Sequence, residues 1–174
     1  MKIVGTLALA KIRKLVTGLL LVACWAAPFE CVAAGPLGAA DAAYVRGDYT
    51  LVVKLLTPLA LRGDPRAQAL LGFMFENGYG APQVYYTAAS LYQAAALRGN
   101  PFGQAMLGLM YDKGHGVPQD FILAYKWLNL AAGRSSKHER DYVLRLRNAV
   151  ASKMSSLQIA EGQRLAMLWV AARQ

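Results

Sequence analysis

The side chains of this sequence that could do chemistry are few, and none has a partner at a useful spacing. His115 stands between two glycines and His138 in a charged stretch, without a second His or a Cys at the spacing of a metal site. Ser136 and Ser155 precede helical segments, where serines cap helices, and neither lies in a GxSxG pattern. We therefore predict no catalytic residue, no metal ligand and no bound cofactor.

Two acids, Glu76 and Asp112, are equivalent positions of an internal repeat rather than a catalytic pair. The segment ALRGDPRAQALLG at 60–72 returns as ALRGNPFGQAMLG at 96–108, with nine of thirteen positions identical. Over the full period of thirty-six residues, fifteen positions match. A period of this length predicts helix pairs stacked into a solenoid, in which each pair buries its apolar face on its neighbours.

The repeated segment has the pattern of a helix end, a turn and the start of the next helix. Gly63 and Gly99 follow Ala- and Leu-rich stretches, and glycine is the residue that closes a helix in a left-handed conformation. The next residue is Asp64 or Asn100, both good N-caps, and a proline follows at the first helical position. We therefore predict that a helix ends, the chain turns, and a new helix starts at both places.

The rest of the period supplies the other helices and the core. The spans NGYGAPQ and KGHGVPQ, with two glycines and a proline each, end the first helix of each unit. Leu91 and Trp127 are the predicted large core residues of the second helices, with alanines as their small contacts. Further helices are predicted at about 37–46, in the segment that ends at 63, and at about 83–97, 120–132 and 136–153. A last helix is predicted to start at Ser155, where Gln158 completes a capping box.

The repeated positions resemble the Sel1-like repeat, a relative of the tetratricopeptide repeat. The resemblance implies an all-α fold, a right-handed solenoid of antiparallel helix pairs, and a binding module in place of an enzyme. The positions that carry the pattern, and that we expect to be structural, are Ala69, Leu71, Gly72, Phe75, Gly78, Gly80, Ala105, Leu107, Gly108, Tyr111, Gly114, Gly116, Asp120 and Trp127.

Three departures from the family pattern stand out. The family usually has Asp after Pro-Gln, where Asp120 fits but the first unit has Val84, so one helix should start without a cap. Gly103 stands where the family has Ala. The paired cysteines of one Sel1 subgroup, linked to β-lactam binding or hydrolysis, are absent, which weakens the transfer of that activity.

The first 34 residues have the pattern of an export signal, with basic residues, an apolar run of thirteen, and a small-residue site before Gly35. An alternative is a lipoprotein signal at 1–23, because Leu21-Val22-Ala23-Cys24 resembles a lipobox and would place a lipid on Cys24. The run is too short to span a bilayer comfortably. The expected organisation is a signal at 1–34 and a repeat domain at 35–174, made of a partial unit at 37–63, repeats at 64–99 and 100–135, and capping helices at 136–174.

The composition excludes several classes of protein. Hydrophobic residues make up 56% of the chain, which is not a disordered composition, and abundant Ala and Leu favour helix. Removal of residues 1–34 would leave fifteen cations and nine anions, and would remove both cysteines. The cations form no basic run with interleaved aromatics, so we expect no nucleic acid partner, and a membrane only if Cys24 is lipidated.

The function that follows is an exported, non-catalytic adaptor, assembly or regulatory factor of the bacterial envelope, periplasmic, secreted or lipid-anchored. Its partner would be another envelope protein or a peptide segment, bound in the solenoid groove. The alternatives are a β-lactam-binding or hydrolysing enzyme, and a module for cell-wall glycan or anionic lipid. Candidate groove contacts are Gln68, Leu70, Phe73, Asn77, Gln104, Met106, Leu109 and Lys113.

Overall fold

The computed structural model describes residues 35–172, and this part of the chain consists of eight α-helices without a strand. The predicted signal segment and Cys24 lie outside the described residues. No helix of residues 35–172 has both the length and the apolar character needed to cross a bilayer. The helices are α1 Pro36–Val45, α2 Tyr49–Leu61, α3 Pro65–Asn77, α4 Tyr85–Leu97, α5 Pro101–Lys113, α6 Phe121–Arg134, α7 Lys137–Ala151 and α8 Ser156–Ala171.

The repeated Gly-Asp/Asn-Pro segment forms the predicted turn between helices at both places. Gly63 and Gly99 have φ of +86° and +83°, the left-handed conformation that closes α2 and α4. Asp64 then accepts hydrogen bonds at 2.9 Å from the backbone N–H groups of Arg66 and Ala67. In the second repeat, Asn100 accepts one at 2.8 Å from the backbone N–H of Gly103. These local predictions are confirmed because each depends on backbone chemistry within a few residues.

The caps of the later helices also follow the sequence. The carboxylate of Asp120 accepts from a backbone N–H at 2.9 Å at the start of α6, whereas Val84 gives α4 no side-chain cap. Capping boxes of Ser136 with Glu139, and of Ser155 with Gln158, open α7 and α8.

Each helix packs on the next one along the chain from α1 to α7, while α8 packs on α6. Helices α3 and α5, the first helices of the two repeats, also contact each other. This stacking confirms the all-α solenoid of packed helix pairs; its right-handedness stays a prediction. The three apolar core clusters of the described residues lie between residues 40 and 166, so the unit that begins at Gly35 contains its own core.

The large core residue of α4 differs from the predicted one. Tyr92 is fully buried, whereas the neighbouring Leu91 is half-buried. Trp127 is buried in α6 as expected, and Phe75 and Tyr111 pack half-buried against the clusters. Leu91 does pack against a core cluster, but the sequence reasoning missed Tyr92, which α4 turns toward α3 and buries fully.

Three helical glycines mark close contacts between helices. A Cβ at Gly72 would lie 2.9 Å from Cε1 of Tyr92, and one at Gly108 would lie 2.8 Å from Cγ of Leu128. The predicted role of these small residues is confirmed. At Gly103, a Cβ would lie 2.7 Å from that of Ala95. The departure at Gly103 therefore follows from a close approach of α5 to α4.

Candidate interaction groove

An apolar cleft lies among α1, α2, α3 and α5. Its volume is about 430 Å³, within the about 300–1,000 Å³ typical of ligand sites. Aliphatic and aromatic side chains form its walls, and Asp41 is the one charged residue among them. The lining residues are Ala40, Asp41, Tyr44, Val45, Val52, Leu56, Leu70, Phe73, Met74 and Phe102. We call this space the main cleft.

A second, smaller cleft of about 230 Å³ lies between α5 and α7. Phe102 lines both clefts and therefore forms the ridge between them. The other residues of this side cleft are Pro101, Ala105, Met106, Ser135, Glu139, Tyr142 and Val143. The two clefts extend one surface across the first helices of successive units.

Aromatic contacts hold the main cleft in shape. The ring of Phe73 lies 6.4 Å from that of Tyr44, 6.0 Å from that of Tyr79 and 6.3 Å from that of Phe102. Phe73 is half-buried, whereas Tyr44 and Phe102 remain 40% and 38% exposed. Phe73 therefore supports the floor of the cleft, and the two exposed rings are the ones that an incoming side chain would meet.

Charge at the main cleft is limited to its edge. Arg66 donates a hydrogen bond at 2.9 Å to the Asp41 carboxylate, and both side chains are about half exposed. Such an exposed pair contributes little to stability. Within residues 35–172, no group of three or more His, Cys, Asp or Glu side chains is placed to hold a metal ion. The lining of the main cleft is therefore mainly apolar contact area.

Three of the eight predicted groove residues line the clefts. Leu70 and Phe73 line the main cleft and Met106 lines the side cleft. Leu109 is half-buried and belongs to neither cleft. The polar candidates Asn77 and Lys113 are exposed at the ends of α3 and α5.

The two glutamine candidates require a correction. Gln68 and Gln104 are buried, and their Nε2 atoms donate to the backbone oxygens of Ala60 at 3.1 Å and Ala96 at 3.2 Å. Each bond ties the end of one helix pair to the start of the next. Their Oε1 atoms have no hydrogen-bond partner within the described structure. Because no partner can reach these side chains, the prediction of a contact role for both was wrong.

Sequence reasoning missed the exposed aromatics of the clefts. Phe102 stands where the first repeat has Arg66, and Tyr44 and Tyr142 lie outside the two clear repeats. The available signal was an aromatic residue at a position where the repeats differ, in the first turn of a first helix. Such positions carry no repeat constraint and are free to serve binding.

The acids and the loop histidine have structural contacts. Tyr92 donates a hydrogen bond of 2.7 Å to the Glu76 carboxylate, and burial together with that negative charge raises the pKa of Tyr92 far above its usual value. Asp112 pairs with Lys153 at 2.8 Å. The His115 ring lies 4.5 Å from that of Tyr85. These residues hold neighbouring helices together.

A matching contact occurs one repeat earlier, where the Tyr79 ring stacks on that of Tyr49 at 4.7 Å. The glycine that follows each of these turn residues, Tyr79 or His115, lies against the start of the helix that the ring contacts. A Cβ at Gly80 would overlap the backbone carbonyl of Tyr49, and one at Gly116 would overlap that of Tyr85. Each turn therefore docks directly on the backbone of the preceding unit.

The fold and the clefts define a helical-repeat scaffold that presents an apolar surface. The Sel1 repeat model matches residues 65–100 and 101–136. These residues therefore form two Sel1 repeats, so the resemblance seen in the sequence is confirmed. Sel1 repeat proteins generally mediate protein–protein interaction, and the fold is typically a non-catalytic scaffold.

The chain is similar to solved structures, and the first of the two described here shows the same fold. One is c5321, a protective antigen present in uropathogenic Escherichia coli strains and described as displaying an SLR fold, at 24% identity and a TM-score of 0.70. The match covers 79% of this chain but only 30% of that protein, so this chain spans less than a third of its length. A Sel1 repeat protein from Oxalobacter formigenes is 35% identical over 49% of this chain and 66% of its own, with a TM-score of 0.48. No curated protein matches the chain.

Proposed function

We propose that this protein is an exported, non-catalytic interaction module of the bacterial envelope, which binds an apolar segment of another protein along the main and side clefts. The observation that carries the proposal is the continuity of the two clefts across the Phe102 ridge. Two apolar pockets on successive units fit a partner segment that presents two apolar anchors, one on either side of that ring.

The exposed aromatics supply the binding energy in this proposal. Tyr44 and Phe102 are more than a third exposed beside a cleft with almost no polar lining. Large aromatic side chains gain much from being covered and lose little conformational freedom when they are. Phe73 orders both rings from beneath.

The proposal is tested by photocrosslinking in living cells, with a crosslinking amino acid at position 102. A matched probe replaces Tyr86, which is 73% exposed on α4 and lines neither cleft. We expect one defined adduct from position 102 and none from position 86. The adduct should disappear in a Tyr44→Glu variant and persist in Tyr86→Glu. The same adducts from both probes, or an adduct at 102 that is insensitive to Tyr44→Glu, would refute cleft binding.

The export part of the proposal rests on the pattern of residues 1–34 and needs its own test. Mass spectrometry of the protein recovered from the envelope fraction should give an N-terminus at Gly35, or a lipid-modified Cys24 if the lipobox is used. Recovery of the uncleaved chain from the cytoplasm would refute export without affecting the cleft.

A further inference from the structure

Three arginines recur at the repeat period on one edge of the solenoid. Arg62, Arg98 and Arg134 follow or end α2, α4 and α6, and all three are exposed. Nη2 of Arg98 would lie 3.2 Å from a Cβ at Gly63, and Nε of Arg134 would lie 3.6 Å from one at Gly99. The guanidinium groups of Arg98 and Arg134 thus reach back over the junction of the preceding unit, whereas a Cβ at Gly47 would meet no atom within 4 Å. We call Arg62, Arg98 and Arg134 the arginine row.

The charges of the arginine row are not neutralised within the described structure. The ion pairs of residues 35–172 involve other cations: Arg66, Lys153 and Arg164. Arg98 donates to the backbone oxygen of Ala94 at 3.3 Å, and Arg134 lies 4.8 Å from the Trp169 ring centre. A backbone carbonyl and an aromatic face position a guanidinium without cancelling its charge.

Four acidic side chains lie on the opposite edge. Asp48 and Asp120 cap the starts of α2 and α6, and Glu76 and Asp112 lie in the last turns of α3 and α5. Carboxylates on the arginine edge include Asp64 and Glu139, which take part in the caps of α3 and α7, and Asp141, which is exposed in α7.

Large apolar side chains stand exposed among these arginines. Leu61 precedes Arg62 and is 83% exposed. Met167 and Leu168, near the end of α8, are 66% and 53% exposed. A surface cleft lined by Arg134, Met167 and Val170, among others, places the end of α8 beside the arginine row.

This combination selects one kind of partner. An acidic protein segment would account for the arginines but would leave Leu61 and Met167 in water. A membrane with anionic lipids offers phosphates for the guanidinium groups and an interfacial region for the apolar side chains. We propose that the arginine edge docks on the surface of an anionic phospholipid bilayer, independently of the clefts.

The experiment measures binding of residues 35–174, the unit that contains the three cores, to phosphatidylcholine vesicles with or without phosphatidylglycerol. We expect binding only when the anionic lipid is present, and less binding at high salt. The variant Arg62→Gln, Arg98→Gln, Arg134→Gln should lose about fivefold in affinity per arginine, or about a hundredfold in all. The matched control removes three cations away from the row, Arg46, Lys54 and Lys113, and should retain most of the affinity. Circular dichroism verifies that both variants keep their helices.

Three further measurements would contradict the proposal if it is wrong. Leu61→Gln should weaken vesicle binding severalfold and leave binding to soluble polyglutamate unchanged, because only a bilayer covers this side chain. Equal losses in the two charge variants would indicate a general effect of net charge and overturn the proposal. Tight polyglutamate binding without vesicle binding would overturn it in favour of an acidic protein partner. Cleft crosslinking at position 102 reads out the proposed function separately from all of these results.

Discussion

The same substitution at two helical glycines should change stability in opposite directions. Gly108 and Gly133 both lie within helices and neither has a positive φ. A Cβ at Gly108 would lie 2.8 Å from Cγ of Leu128 and 3.1 Å from the backbone oxygen of Ala124. A Cβ at Gly133 would meet no atom within 4 Å. Alanine therefore enters a filled space at one position and open space at the other.

The magnitudes follow from two competing terms. Replacing a helical glycine with alanine stabilises a helix by about 0.5–1 kcal/mol, because alanine loses less backbone freedom on folding. Overpacking costs about 1–3 kcal/mol when the neighbours have to shift. Since Leu128 is fully buried, Gly108→Ala should lower the free energy of unfolding by about 1–2 kcal/mol. Gly133→Ala should raise it by about 0.5 kcal/mol, because it gains only the helix term near the end of α6.

Urea unfolding followed by far-ultraviolet circular dichroism measures both changes. Equal slopes of the free energy of unfolding against urea concentration would show that the unsubstituted chain and its variants unfold by the same reaction. Gly72→Ala repeats the test in the first unit, where the Cβ would lie 2.9 Å from Cε1 of Tyr92. If Gly108→Ala and Gly133→Ala stabilise the chain equally, the close approach of α5 and α6 is wrong.

Further predictions concern caps, the buried tyrosine and catalysis. Val84→Asp should raise the free energy of unfolding by about 1 kcal/mol and Asp120→Ala should lower it as much, because the two residues are equivalent cap positions. Melting curves of the two variants that match that of the unsubstituted protein would contradict this prediction. Tyr92→Phe should cost about 1.5–3 kcal/mol, because it removes a hydrogen bond to a carboxylate, while exposed Tyr86→Phe should cost nothing measurable. Purified residues 35–174 should not hydrolyse nitrocefin, and turnover that survives repurification would contradict a non-catalytic scaffold.

Local chemistry made the helix boundaries readable from the sequence. The glycine, the cap and the proline around residues 63–65 act within a few residues, so their effect needs no knowledge of the fold. The choice between Leu91 and Tyr92 was different. Both positions are apolar and adjacent, and the direction of α4 relative to α3 decides which one is buried. That direction is set by tertiary packing, which a local pattern does not contain.

Gln68 and Gln104 show how a repeat can mislead about function. Both were assigned to the groove because they are polar, yet they are identical in the two units. A position that is the same in both units is one that the fold needs, and here it bonds the end of the preceding helix pair. Phe102 is the opposite case, because it differs from its equivalent and lies at the surface of both clefts. Differences between repeats therefore indicated the candidate site better than identities did.

The docking of each turn on the preceding unit restricts how the length of this chain can change. Gly80 and Gly116 rest against the backbone at Tyr49 and Tyr85, and the ring beside each glycine contacts the ring of the same residue. One residue inserted into such a turn would move the glycine and the ring out of register together. Duplication of a whole unit of 36 residues, as in 65–100, would supply a new turn and a new docking residue at once. Gene duplication in steps of one period is therefore the route by which this solenoid can lengthen, while small insertions are tolerated only outside the turns.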